Sequence, residues 1–305
     1  MRTLVSGASG FIGRALLDRL RQDGHDVSCI VRHDPRPGDV LFDAASRSLD
    51  ASRLPGGTLD GFDAVFHLAG APIPLRRWGA RTRELIRASR VTTTLALARA
   101  LAATDAPPPV LVCASAIGIY GERGEEVLDE QSAAGEGFLA EVCRAWEAAA
   151  APARAAGIRV VAARTGLVLG AGGGLVKAQL PAFRAGLGAR LGSGRQWQSW
   201  ISLTDEIEAL LHAAACDELD GPCDLVAPEP VRNAELTDAL AAALGRRARL
   251  ALPAPLLALA LGESAREMAL ASQRVIPRRL QETGFTHRLP DLHTTLVLAT
   301  RGARD

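Results

Sequence analysis

The chain of 305 residues is predicted to fold as α/β, a doubly wound parallel sheet with a smaller C-terminal substrate-side lobe, on three observations. An apolar run containing Leu4 and Val5 ends in Gly7, Gly10 and Gly13, and Ile12, Ala15, Leu16 and Leu20 follow at helical spacing. Short apolar runs then alternate with helical patterns several times, as a parallel sheet with helical crossovers requires. The runs break at small or polar residues, as at Ala69 and Gly70 and again at Ser115, at the strand ends where open α/β sheets bind ligands.

The first strand, turn and helix form a unit that can hold a dinucleotide pyrophosphate. Gly7 permits the tight turn, Gly10 lets the backbone approach the phosphates, and Gly13 lets the helix pack closely. Free N–H groups at the helix start attract the anion. Gly24 is a plausible helix stop, and residues 27–31 read as a second strand. Arg32 follows it, where an acidic residue would bind a ribose 2′-OH; a cation there favours a 2′-phosphate. Residues 40–42 read as a short third strand, followed by a polar loop through Gly57.

Residues 64–70 read as a buried strand whose last members, Ala69 and Gly70, let the backbone approach a ligand. Arg76, Arg77 and Trp78 precede a long helix to about Ala103, which Pro107, Pro108 and Pro109 close off. A fifth strand spans 110–114 and leads into Ser115-Ala-Ile-Gly-Ile-Tyr-Gly121. A helix from about Gly137 to Ala156 carries Leu139, Cys143 and Trp146 on one face. Residues 158–163 are a strand, followed by Arg164 and a glycine-rich loop at 170–174. Beyond it the alternation breaks: 192–200 is a polar loop with tryptophans, 205–215 a helix, 223–227 a strand, and the part from Leu250 helical and proline-punctuated.

Composition excludes several functions. A net charge of +1 offers no electrostatic case for nucleic acid or an anionic membrane, and aromatic residues at 4% are too sparse for a base-stacking platform. Lys177 is the only lysine, so single arginines in this chain carry little information by type alone. Cys29, Cys113, Cys143, Cys216 and Cys223 are odd in number and scattered, against a disulfide framework or zinc site and in keeping with a reducing cytoplasm. The histidines lack metal-ligand spacing. The longest apolar run, near 252–261, is too short to span a bilayer, and the first strand starts too early for a signal peptide. A cytoplasmic protein is expected, acting on a small molecule, with a homodimer as the candidate assembly.

The motifs Gly7-Ala-Ser-Gly-Phe-Ile-Gly13, His67-Leu-Ala-Gly-Ala-Pro-Ile73 and Ser115-Ala-Ile-Gly-Ile-Tyr-Gly121 resemble the extended short-chain dehydrogenase/reductase superfamily. With Phe138-Leu-Ala-Glu-Val-Cys-Arg-Ala-Trp-Glu147, Gly192-Ser-Gly-Arg-Gln-Trp197 and Ser272-Gln-Arg-Val-Ile-Pro277, the chain is similar to its atypical branch, the NAD(P)-dependent epimerase/dehydratase-like family, whose C-terminal segment is a domain of unknown function. The resemblance implies a Rossmann domain and bound NADP(H). The superfamily's usual Tyr-x-x-x-Lys, aligned through Glu147, falls on Leu139 and Cys143. Its serine or threonine positions fall on Ala116 and Gly118, with Ser115 one residue early, and its asparagine falls on Arg90.

The expected cofactor contacts are Gly7, Ser9, Gly10, Phe11, Ile12, Gly13, Arg32, Leu68, Ala69, Gly70, Ala114 and Arg164. Arg77, Trp78, Arg195, Trp197 and Trp200 are candidates for the substrate wall. Without the dyad, Ser115 and Tyr120 are the candidate proton donors. Cys143 as nucleophile is weaker, for no basic partner stands near it in sequence. Residues 1–169 with 200–228 are expected to form the NADP-binding domain, and 170–199 with 229–305 the substrate-side lobe. Two functions compete: an NADP-dependent oxidoreductase or epimerase-like enzyme, and a non-catalytic NADP(H)-binding sensor or scaffold.

Overall fold

Residues 1–301 are described by the computed structural model. The chain begins in the middle of its sheet. Strand β1 (Arg2–Ser6) pairs in parallel with β2 (Asp26–Val31), followed outward by β3 (Val40–Asp43) and an antiparallel edge strand, β4 (Ser48–Asp50). The chain then crosses to the other side of β1. There β5 (Ala64–His67), β6 (Val110–Ala116) and the strands Arg159–Thr165 and Gly221–Leu225 follow in order, all parallel. This reversal between β1 and β5 leaves a crevice at their carboxyl ends, the usual ligand position of an open α/β sheet.

Neighbouring residues along each strand feed opposite layers, because strand side chains alternate. Val5, Phe66, Val112 and Val161 pack with Leu16 and Leu20 of helix α1 (Phe11–Gln22) and with Ile207 and Leu210 of the helix Leu203–Ala215. Leu4, Val65, Leu111 and Val160 pack on the other face with Leu97 and Leu101 of α2 (Ala80–Ala102) and Trp146 of α3 (Phe138–Ala148). Burying one such side chain is worth about 1.5–3 kcal/mol, so these layers outweigh the surface ion pairs, each worth about 0–1 kcal/mol. Among the described residues no helix is long and apolar enough to cross a membrane.

A buried polar chain ties the second layer to the crevice floor. Ser6 Oγ lies 2.6 Å from His67 Nδ1, and His67 Nε2 lies 2.9 Å from Thr94 Oγ1. Trp146 Nε1 donates to the same threonine oxygen at 2.9 Å. Burial lowers the His67 pKa to about 4, so this ring is a neutral strut rather than a titrating group near neutrality.

A second, smaller core surrounds Trp200. It draws Val176, Leu180 and Phe183 from the helix Gly174–Arg184, Leu236 and Leu240 from Asn233–Ala243, and Leu296 from Leu292–Arg301. Phe11, at the first position of α1, packs against the loop that leads into the helix Gly174–Arg184. Its ring fills the space left by three glycines: a Cβ on Gly173 would lie 2.1 Å from the ring, one on Gly170 3.0 Å and one on Gly174 3.3 Å.

Several local expectations are corrected. The polar loop through Gly57 contains strand β4, because Asp43 accepts bonds from the Ala45 and Ser46 N–H groups and turns the chain back, letting Leu49 pack on the core. The single helix expected to reach Ala156 is two, Phe138–Ala148 and Ala151–Ala155, since Pro152 cannot donate to a continuous ladder. Helices Gly174–Arg184 and Asn233–Ala243 appear where no helix was expected. The tryptophan loop carries the strands Trp197–Gln198 and Trp200–Ser202, and the segment from Leu250 opens with the strand Leu250–Leu252.

Beneath the carboxyl end of the strand Arg159–Thr165, Glu206 is buried. Its Oε1 accepts from Thr165 Oγ1 at 2.9 Å, while Oε2 has no partner among the described residues. Burial raises its pKa to about 8, against about 4.3 for a free glutamate. Between those values the unfolded chain has lost a proton that the folded chain keeps. Stability therefore falls as pH rises through that window, by up to about 1.4 kcal/mol per pH unit. Glu206→Gln is expected to remove this loss. In urea titrations the variant's stability relative to wild type should grow steadily from about pH 5 to about pH 8.

Candidate functional site

The crevice is built around the turn after β1. Gly7 has φ +74°, and a Cβ there would lie 2.7 Å from the carbonyl carbon and oxygen of Leu68. Glycine is thus required both by handedness and by the contact between this turn and the segment after β5. A Cβ on Gly13 would lie 2.1 Å from the Gly7 oxygen, so the start of α1 closes directly onto the turn. Ser9 and Gly10 are exposed, and Gly10 precedes α1 without a side-chain cap. The N–H groups of Phe11, Ile12 and Gly13 have no acceptor among the described residues, and no acidic side chain stands in the first turn. The result is an open, electropositive helix end of the kind that binds phosphate.

Arg32 follows β2 directly. Ser6 pairs with Ile30, so Arg32 lies two residues beyond the level at which β1 gives way to the turn. Its side chain is exposed, and no described residue forms an ion pair or hydrogen bond with it. After β5, Leu68 packs into the core, Ala69 is half-buried and Gly70 is exposed. The Arg90 guanidinium lies against Gly70, with Cζ 5.1 Å from the centroid of the Trp146 ring. Trp78 donates to the Pro74 carbonyl at 2.9 Å and meets Phe138 edge-on at 5.6 Å. Arg77 donates to the Leu259 carbonyl, bringing the Arg77–Trp78 pair between α3 and the C-terminal segment.

The carboxyl end of β6 holds a buried ionic chain. Ser115 Oγ donates to Glu147 Oε1 at 2.7 Å, and Arg164 grips both oxygens of Glu147 at 2.8 and 3.0 Å. Arg164 Nη1 also donates to the Tyr120 hydroxyl at 3.0 Å, which in turn donates to Asp224 at 2.8 Å. Burial pushes Asp224 well above the usual carboxylate range, with Glu130 close by adding to it. Glu130 Oε1 accepts from the Asp224 N–H at 2.9 Å, and Glu130 is raised by burial too.

This chain corrects two expectations. Tyr120 is fully buried with its hydroxyl held by Asp224 and the Asp129 carbonyl, so it ties the segment after β6 to the strand Gly221–Leu225 and does not face the crevice. Burial pushes its hydroxyl far above the ordinary tyrosine range. Arg164 is spent on Glu147 and Tyr120 rather than left open to a cofactor. Ser115 stays at the strand end but is almost wholly buried, and Ala114 is half-exposed beside it.

Trp200 is buried in the second core and donates to the Glu229 carbonyl at 3.1 Å, so it is no part of a wall. Trp197 has Arg232 at 3.8 Å and Arg274 at 4.4 Å from its ring centroid, and its Nε1 donates to Glu125 at 2.9 Å. That ring is already occupied by two cations. Arg195 lends its carbonyl to Arg232, which also pairs with Glu125. These residues bind the loop after Tyr120 to the C-terminal segment, apart from the Arg77–Trp78 pair.

Residues 3–224 match the NAD dependent epimerase/dehydratase family, and residues 252–297 match a domain of unknown function, DUF1731. The chain belongs to the NAD dependent epimerase/dehydratase family. An epimerase family protein of Mycobacterium bovis is 45% identical over 282 residues, 92% of this chain and 91% of that protein. Human epimerase family protein SDR39U1 is 38% identical over 301 residues, 97% of this chain and 98% of that one. The crystal structure of human SDR39U1 (isoform 2) with NADPH superposes with a TM-score of 0.88 at 35% identity, covering 99% of each chain.

Within this epimerase family frame, the face that would carry the tyrosine and lysine is apolar. Leu139 packs beside Trp78, Ile86 and Phe138. Cys143 is buried among Ile117, Ile119, Tyr120 and Val275, and burial pushes its thiol up to about 12, which removes it as a nucleophile. Sequence reasoning missed Glu267. Both of its oxygens accept from the start of α3, from the N–H of Phe138 at 2.9 Å and of Leu139 at 2.6 Å. It lies 129 residues from Phe138, so no local signal could have marked it.

Tyr120→Phe removes a hydroxyl shared by Arg164 and Asp224 deep in the fold. The variant is expected to lose about 1–3 kcal/mol of stability in urea unfolding, since both partners remain buried with one bond fewer. An unchanged unfolding midpoint would return Tyr120 to the list of free donors.

Proposed function

We propose that the protein binds NADP(H) and acts as an oxidoreductase or epimerase-like enzyme on a small molecule, without a tyrosine–lysine dyad. One observation carries this reading: the glycine turn presents three N–H groups beside an arginine, all four without a partner among the described residues. That geometry fits a pyrophosphate at Gly7, Ser9, Gly10, Phe11, Ile12 and Gly13, with a 2′-phosphate at Arg32. The NADPH in the human relative's structure supports the same cofactor. Leu68, Ala69, Gly70 and Ala114 would line the path from ribose to nicotinamide. When bound, the nicotinamide supplies or accepts hydride. Ser115 is then the hydroxyl left at the strand ends to hold a proton, with Glu147 as its acceptor and Arg164 fixing that carboxylate.

The same reading divides the chain into residues 1–169 with 200–228 around the cofactor and 170–199 with 229–305 as a substrate-side lobe. The separate core around Trp200 supports it, although Trp200 itself packs with the second part. A specific observation favours the alternative, a non-catalytic NADP(H) sensor or scaffold: Leu139 and Cys143 give α3 no proton donor, and Tyr120 is locked away. A missing general acid costs roughly 10²–10⁴-fold in rate. Turnover of NADPH with a panel of ketones and sugar nucleotides, repeated with Ser115→Ala, separates the readings.

Titration with NADPH and NADH tests the cofactor site itself. NADPH is expected to bind roughly tenfold or more tightly, since a charge-assisted contact to phosphate is worth about 1.5–3 kcal/mol. Arg32→Ala should erase that preference and leave NADH binding nearly unchanged. Equal affinities in the wild type would reject the assignment of Arg32.

A further inference from the structure

Arg90 is an arginine held half-buried without a counter-charge. Nη1 donates to the Ile86 carbonyl at 3.1 Å and to Ser89 Oγ at 3.4 Å, while Nε and Nη2 have no partner among the described residues. No described carboxylate forms an ion pair with it. The titratable side chain that bears on it is Cys143, whose thiol stays neutral near pH 7 because burial pushes it up to about 12. Burial holds the Arg90 pKa below the usual arginine value, as expected for a cation that has lost water and gained no anion.

The free edge lies against Gly70 and above Trp146. The Trp146 ring beneath the guanidinium fixes its plane. On the crevice side stands Gly70, which is exposed; a Cβ there would come within 3.3 Å of Cζ and 3.4 Å of Nη2. The absence of a side chain at residue 70 thus keeps the guanidinium accessible from the carboxyl end of β5. The Nε–Nη2 edge presents two parallel N–H donors spaced for the two oxygens of a carboxylate.

We propose that Arg90 anchors the carboxylate of a small molecule seated over Gly70, which makes carboxylate-bearing carbonyl compounds the substrate class. A singly charged carboxylate matches one free guanidinium edge better than a phosphate dianion does, and Arg83 and Arg164 are already paired with Glu263 and Glu147. The word substrate rests on the proposed function; the anion site does not.

The test uses acetate, benzoate and 2-oxobutanoate against their neutral amides. Binding is followed by tryptophan fluorescence and calorimetry on the full chain, free and saturated with NADP⁺. At least one carboxylate is expected to bind the wild type roughly tenfold more tightly than its amide. Arg90→Met, similar in length but uncharged, should bring acid and amide to within about twofold and leave NADP⁺ affinity within about twofold. Arg90→Lys should give an intermediate preference, since it keeps the charge without the fork. Near-UV circular dichroism checks folding, and the lysine variant decides the matter if the methionine variant does not fold. A tenfold preference that persists in Arg90→Met, a preference in Arg90→Lys as large as in the wild type, three carboxylates no better than their amides, or a tenfold loss of NADP⁺ affinity in Arg90→Met would each overturn the proposal. NADP⁺ failing to bind the wild type would sink the proposed function alone, because the free-protein measurements still judge the anion site.

Discussion

The contact between Gly7 and the backbone of Leu68 is the constraint on which the rest of the structure depends. It joins the turn after β1 to the segment after β5, the two strands that flank the reversal of strand order. Any side chain at residue 7 would drive these segments apart, and the crevice would lose its floor. The buried chain Ser6–His67–Thr94–Trp146 acts at the same place from below, tying α2 and α3 to the ends of the same two strands. Close backbone packing and a satisfied polar network thus converge on one point, where a half-satisfied network would be costly.

The polar interior beyond β6 has a different purpose. Ser115, Glu147, Arg164, Tyr120, Asp224 and Glu130 join α3, the 3₁₀ turn after β6 and the two edge-ward strands in one chain of hydrogen bonds. Groups of this kind often signal catalysis through displaced pKa values. Here the displacement of Tyr120 and Asp224 comes first from burial, and their bonds point into the fold. Glu267 adds an anchor of the same character, a carboxylate at the start of α3 that also interacts favourably with the helix dipole.

Much of the fold was legible because the signals were local. The apolar runs, the glycines after Val5 and the position of Arg32 depend on a few neighbouring residues and on strand or helix period. The direction of Tyr120 was not legible, because its partner Asp224 is 104 residues away and reads in sequence as an unremarkable strand residue. Trp197 looked like a free aromatic surface until Arg232 and Arg274 closed over it from distant segments. Strand β4 is only three residues long and rests on turn bonds to Asp43, too short for alternation to reveal. Helix Gly174–Arg184 was hidden by its glycine-rich start and by Pro181 within it.

The seat of Phe11 among Gly170, Gly173 and Gly174 has a mechanical consequence. The ring belongs to the first residue of α1, yet it is gripped by a loop leading into the second core, so it ties the turn after β1 to that loop. Pulling the helix end and the loop apart would strip an aromatic ring of its packing. A shift of that loop would therefore be felt at the start of α1, at the edge of the crevice.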